Sequence, residues 1–306
     1  MRQHTLFAAI VAAIVLLGLP ARAQLLWRVS GNGLERPSYI MGTHHLALPS
    51  MLDSISGFAD ALAASGAVWG EVDCDSMASP QVMQRMAMAM MAPPDSALSH
   101  LLSADGYAVV ERTFNKYFGP TGLSLKQLDA LKPAAIATQM QVLRDAANMG
   151  NWNPSQQIDA EVQRRARAAG KAVHGLEDID FQIGLLLGAP LTVQSSDLLE
   201  MCKRDSAYAA LSAEIGSAYE RQDLDRLQRL IEDEELAGDS REAQRLIYDR
   251  NASWASTLPA AMARGPVLVC VGAGHLPGAK GLIALLRGKG FTVAPFASAA
   301  KSDSGQ

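Results

Sequence analysis

Two rhythms of apolar residues run along this chain. Short apolar stretches closed by Gly or by acids occur near both ends. They are LLWRVS (25–30), SYIMG (38–42), AVWGEVD (67–73), KAVHGLE (171–177), GPVLVCVG (265–272) and FTVAPF (291–296). Their length and boundaries predict strands. The long middle has helical spacing instead. Leu52, Ile55, Phe58, Ala59 and Leu62 fall on one face of a helix predicted over 48–66, stopped at Gly66. Further helices are predicted in the Met-dense stretch SPQVMQRMAMAMMAPP, over 103–119, 125–143 and 155–170, and through most of 191–263. Strands at 38–42, 67–72, 172–175, 266–271 and 291–295 should therefore share one sheet. The fold class is α/β: a central β-sheet built from N- and C-terminal strands with a large helical insertion.

Some patterns carry chemistry only on first sight. Met83, Met86, Met90 and Met91 fit a pliable binding face, but an amphipathic core helix using Met as filler is the simpler expectation. The acidic run EDEE (232–235) reads as a solvated helix face, among oppositely charged pairs three and four residues apart.

The first residues stand apart from both rhythms. Arg2, the 14-residue apolar run LFAAIVAAIVLLGL and the small-x-small sequence ARA before Gln24 have the form of a cleaved leader. Residues 1–23 are thus expected to be a signal peptide and 24–297 the folded domain. The tail 298–306 is expected to be disordered. The product would be exported, periplasmic or secreted, with no stable membrane span after cleavage. The net charge of -4 becomes more negative once Arg2 and Arg22 leave with the leader. Dispersed Lys and Arg on an acidic chain give no footprint for nucleic acid. Three cysteines cannot all pair within one chain. Cys270 reads as a core residue, and a Cys74–Cys202 disulfide is left open.

The candidate chemistry lies at strand ends. Gly42-Thr43-His44-His45 and Gly272-Ala273-Gly274-His275 each follow an apolar run. Gly at a strand's carboxyl end lets the backbone turn, and a His three residues on can enter the crevice where open α/β sheets hold ligands. Glu71 in GEVD and Glu177 in HGLE close two further strands. Imidazoles and carboxylates together suit Zn, Mn, Co or Fe better than thiolate sites would. A single G-x-x-H is more often structural, and its recurrence in one context is what points to function.

In combination these residues resemble the TraB/GumN family, whose animal members are the TIKI proteases. The likeness runs from LLWRVSGNGLERPSYIMGTHHLALPS through WGEVD, GKAVHGLED, YERQDLDRL and YDRNASW to VLVCVGAGHLPGAKGLIALLRGKGFTV. It implies an α/β fold of the erythromycin-esterase/ChaN-like kind and metal-dependent hydrolysis. By the resemblance His45, His275, Glu71 and Glu177 would hold a divalent ion (Mn, Co or Zn). Glu71 and Glu177 would also be catalytic, and Arg250 and Asn251 match the RN element. Arg250 would stabilise an oxyanion or anchor a substrate carboxylate, or form a salt bridge to the acidic helices. The substrate would be a peptide or protein. The alternative is a non-catalytic peptide-, metal- or haem-binding protein. One departure is His44, where the family usually has an apolar residue. Neighbours in extended backbone face opposite ways, so His44 and His45 should not share an ion. His44 would cap a loop or line the entrance.

Overall fold

The computed structural model describes residues 24–148, 156–233 and 243–297. The expected leader, the tail and part of the EDEE run lie outside them. Six strands form one sheet: β1 (Leu26–Ser30), β2 (Ser38–Thr43), β3 (Ala67–Gly70), β4 (Ala172–Gly175), β5 (Val267–Gly272) and β6 (Thr292–Pro295). Their order is β4-β3-β5-β2-β1-β6. β4, β3, β5 and β2 are mutually parallel, and β1 runs antiparallel to β2 and β6. The strands predicted at both chain ends thus lie in one sheet.

Burial explains the composition of the central strands. Every residue of β2 is buried, as is all of β5 except Gly272, so both read as continuous apolar runs rather than alternating ones. The sheet's core takes in Ile40, Met41, Val68 and Val269, with Ile158 and Val162 from the helix Ile158–Ala168 and Trp254 and Leu258 from Asp249–Ala263. The helical insertion has its own core around Leu98, Val110, Phe114, Ile136, Met140 and Leu198.

Several predicted helices differ from the observed ones for local reasons. The single helix expected over 48–66 is two, Met51–Ser54 and Phe58–Ala64, parted at Gly57 with φ +88. Periodicity is blind to that left-handed residue. The helix expected over 125–143 is a 3₁₀ turn, Leu125–Leu128, followed by a helix that starts at Pro133. Pro133 has no N–H for an interior helical bond and so takes the first-turn position.

The Met-dense helix, Pro80–Met90, forms as predicted, with Pro80 at its start and Ser79 capping the Val82 N–H. It is not a core helix, however. Val82 is its only buried residue, while Met83 is 57% and Met88 68% exposed. All three cysteines are free. Cys270 is buried in β5, as expected of a core residue.

Candidate functional site

The parallel strands bring the predicted residues to one edge. β2 and β5 are neighbours, with Thr43 opposite Gly272, so the two G-x-x-H elements leave the sheet side by side. Gly42 is what permits this. A Cβ there would lie 2.9 Å from both Cα and Cβ of Ala273, so only Gly lets the second turn pack onto the first. β3 flanks β5 on the other side and delivers Glu71, and β4 delivers Glu177 beside it, the Glu177 N–H donating to the Glu71 carbonyl at 2.9 Å.

Arg250 joins these ends. It sits in the first turn of Asp249–Ala263, directly after a π-helical turn, Gln244–Tyr248. Its Nε and Nη2 donate to the two oxygens of Glu177 at 2.8 and 2.9 Å, and Nη2 also donates to Glu71 Oε2. Nη1 donates to the Leu246 carbonyl at 2.9 Å and lies 3.2 Å from His275 Nε2. A guanidinium has five N–H donors, and this one spends all five inside the cluster. The indole of Trp254, one turn on, lies against Arg250 (4.6 Å) and tilts against the His275 ring (4.6 Å). Trp254 is buried, and its indole N–H has no partner among the described residues.

Asn251 sets the state of His275. Its Nδ2 donates to the carbonyls of His275 (3.1 Å) and Lys280 (2.9 Å). Its Oδ1, 2.7 Å from His275 Nδ1, must therefore accept. That places the ring proton on Nδ1 and leaves Nε2 as a bare lone pair, to which Arg250 Nη1 donates. Burial, with Arg250 and His45 adding to it against Glu71, lowers the His275 pKa to about 4, so the ring is neutral. Glu71 is ionised. Burial opposes its charge, but His275, Arg250 and His45 and the Gly272 N–H (2.8 Å) outweigh that and bring it to about 2. With His275 neutral above about pH 4, Arg250 is the permanent partner.

His45 is held from the other side by a residue sequence reasoning missed. Asp159, in the first turn of Ile158–Ala168, lies 2.8 Å from His45 Nδ1 and accepts from the Thr43 hydroxyl at 2.6 Å. Its only signal in the sequence is an acid at a helix start. Asp159 raises the pKa of His45, whose side chain is 63% exposed and so partly screened by water. His44 has a different partner from His45, although both lie beyond the end of β2 rather than in extended strand. It neither caps a loop nor lines the entrance. Its ring packs on Tyr219 at 5.4 Å, and its buried Nδ1 has no partner among the described residues. Burial, then His45, lowers its pKa to about 4. A neutral imidazole thus fills an apolar position. Asp73 caps the turn Cys74–Met77 and pairs with Arg167.

The donor set can be tested against a divalent ion. Both imidazoles have Nδ1 anchored, on Asp159 and on Asn251, as metal-binding histidines usually do. His275 Nε2 lies 3.8 Å from Glu71 Oε1. A neutral His275, a carboxylate and a second imidazole, His45, that would give up its proton on binding suit Zn, Mn or Co, so His45, His275 and Glu71 fit in chemistry. Glu177 does not, because Arg250 binds both its oxygens. Among the described residues no three His, Cys, Asp or Glu side chains already converge as a formed metal site. A cavity of about 140 Å³ opens beside His45, Glu71 and Asp159, with Gln163 and Cys74 in its wall.

The model of the TraB/PrgY/gumN family matches residues 25–295, nearly all of the sequence. No curated protein and no solved structure matches the chain.

Proposed function

Because the chain belongs to the TraB/PrgY/gumN family, we propose that it is an exported metal-dependent hydrolase, a metallopeptidase acting on peptides or proteins in the periplasm or outside the cell. Its sheet would be of the erythromycin-esterase/ChaN-like kind. The observation that carries the reading is the pairing of Nδ1 anchors: Asp159 and Asn251 each hold an imidazole by Nδ1, so Nε2 is the nitrogen each could offer an ion beside an ionised Glu71, in place of the His45 proton and of the Arg250 contact to His275. His45, His275 and Glu71 would hold the ion. When bound, a divalent ion supplies Lewis-acid polarisation of a scissile carbonyl and a lower pKa for an attacking water.

The remaining roles belong to the chain itself. Glu71, ionised across the neutral range, is the acceptor for the proton of an attacking water. Arg250 and Glu177 act as a rigid clamp, since every guanidinium donor is used within the cluster. The clamp fixes the carboxylate of Glu71 and the ring of His275. Asn251 fixes the tautomer that leaves His275 Nε2 unprotonated. Asp159 orients His45.

The test is metal content and chelator-sensitive peptide cleavage for His45→Ala, His275→Ala and Glu71→Gln beside the parent. Loss of both metal and cleavage in the histidine variants, with the melting temperature retained, is expected. A His275→Ala protein that binds metal and cleaves like the parent would refute the reading in favour of a binding protein.

A further inference from the structure

One buried polar side chain at the strand ends lies apart from the Arg250 clamp. Gln163 is 2% exposed, on the helix Ile158–Ala168 that also buries Ile158, Val162 and Ala166. A buried amide is costly unless it is hydrogen-bonded. Its partners are both in the backbone just beyond β3. Nε2 donates to the Val72 carbonyl at 2.8 Å, and Oε1 accepts from the Cys74 N–H at 2.9 Å. Meeting this pair takes a side chain that both donates and accepts, which an ionised Glu or Lys does not. β3 makes room for it: a Cβ on Gly70 would lie 2.5 Å from Gln163 Nε2. Gly70 and Val72 are the chain neighbours of Glu71, so the amide packs on one and bonds the other.

The same helix holds the first motif one turn earlier. Asp159 binds the Thr43 hydroxyl and His45 Nδ1 through its two oxygens. Residues four apart lie on one helix face, so Asp159 and Gln163 reach the ends of β2 and β3 from one rigid element. Those strands do not touch, because β5 lies between them. Arg167 adds a tie from the helix to Asp73 and Asp75, but all three side chains meet water, which weakens such pairs. We propose that Gln163 is a positioning residue: together with Asp159 it makes the helix Ile158–Ala168 a brace that fixes Glu71 at a set distance from His45. The brace serves an ion site only under the hydrolase reading, but its hold on the chain after β3 can be read without metal.

The experiment separates positioning from packing. Gln163→Met keeps the length of the side chain and removes both hydrogen bonds. Val162→Ala, at the buried neighbour on the same helix, costs packing but no hydrogen bond to the chain after β3. Gly70→Ala displaces the amide from the strand side, leaves the helix sequence intact, and carries the comparison if Gln163→Met does not fold. Three quantities are measured on the full chain: zinc affinity by calorimetry, the visible spectrum of bound Co²⁺, and, in metal-free protein, the rate at which iodoacetamide alkylates Cys74, located by peptide mapping. Cys74 is half-buried in the wall of the cavity that Gln163 also lines. Gln163→Met and Gly70→Ala should bind zinc about tenfold more weakly or worse, alter the cobalt spectrum and open Cys74 to faster alkylation. Val162→Ala should lower the melting temperature while matching the parent in all three. Parental zinc affinity and cobalt spectrum in Gln163→Met overturn the proposal, as do equal losses in Val162→Ala or alkylation of Cys74 at the parental rate. A parent that binds neither metal sinks the hydrolase reading instead. The alkylation rates then decide the brace: faster in Gln163→Met than in Val162→Ala upholds it, and equal rates overturn it.

Discussion

His44→Phe isolates one ionisation at the edge of the site. In the folded chain burial holds the His44 pKa at about 4, against an ordinary 6.5. Between those values the unfolded chain binds a proton that the folded chain does not, so stability falls as pH drops from 6.5 toward 4. At pH 5 the unfolded ring is almost fully charged and the folded ring almost neutral. The difference from 6.5 to 5 is then about 2 kcal/mol at 1.36 kcal/mol per unit. At pH 7 it is only about 0.2 kcal/mol by the same arithmetic. Phe keeps the contact with Tyr219 and removes the unpartnered Nδ1. Any packing change shifts both pH values equally, so the informative quantity is the change between them. Urea unfolding of parent and His44→Phe at pH 7 and pH 5 measures it. The variant should gain about 2 kcal/mol on the parent between the two conditions. A gap between variant and parent that is unchanged with pH would show that His44 is not held neutral by the fold.

Asp159→Asn removes the carboxylate that raises His45, so the ring's titration midpoint, followed by NMR, should move down toward 6.5. Arg250→Lys keeps a charge but not the two-pronged grip on Glu177 or the reach to Glu71 and His275. Peptide cleavage should fall on the order of 10–100-fold, as for residues that orient metal ligands, with the near-ultraviolet circular dichroism largely preserved.

Much of this arrangement was legible in the sequence because burial on both faces writes itself as an unbroken apolar run. β2 and β5 are such runs, and the Gly that ends each one marks the turn into a motif. Glu71 and Glu177 were visible for the same reason, as acids that close strands. Asp159 was not, since its role depends on where a helix from another part of the chain meets the end of β2. The clamp was half visible: Arg250 and Glu177 stood out singly, but nothing in their spacing shows that one uses up the other. The Met helix misled because period 3.6 records only that a helix has an apolar side. Whether that side is covered depends on neighbours that the local pattern does not encode.

The strand order has a consequence for how the protein comes into being. β2 and β3 are consecutive in the sheet's parallel part yet never touch, because β5, roughly two hundred residues further along, is wedged between them. Until that late strand is made, the first motif has no partner and Glu71 no Gly272 N–H to receive. Contacts this distant in sequence make for slow folding, with loop closure coming before any reward. A growing chain therefore carries its histidines and acids as separate, unassembled pieces. The cluster of His45, His275, Glu71 and Arg250 can arise only late, when β5 inserts between β2 and β3.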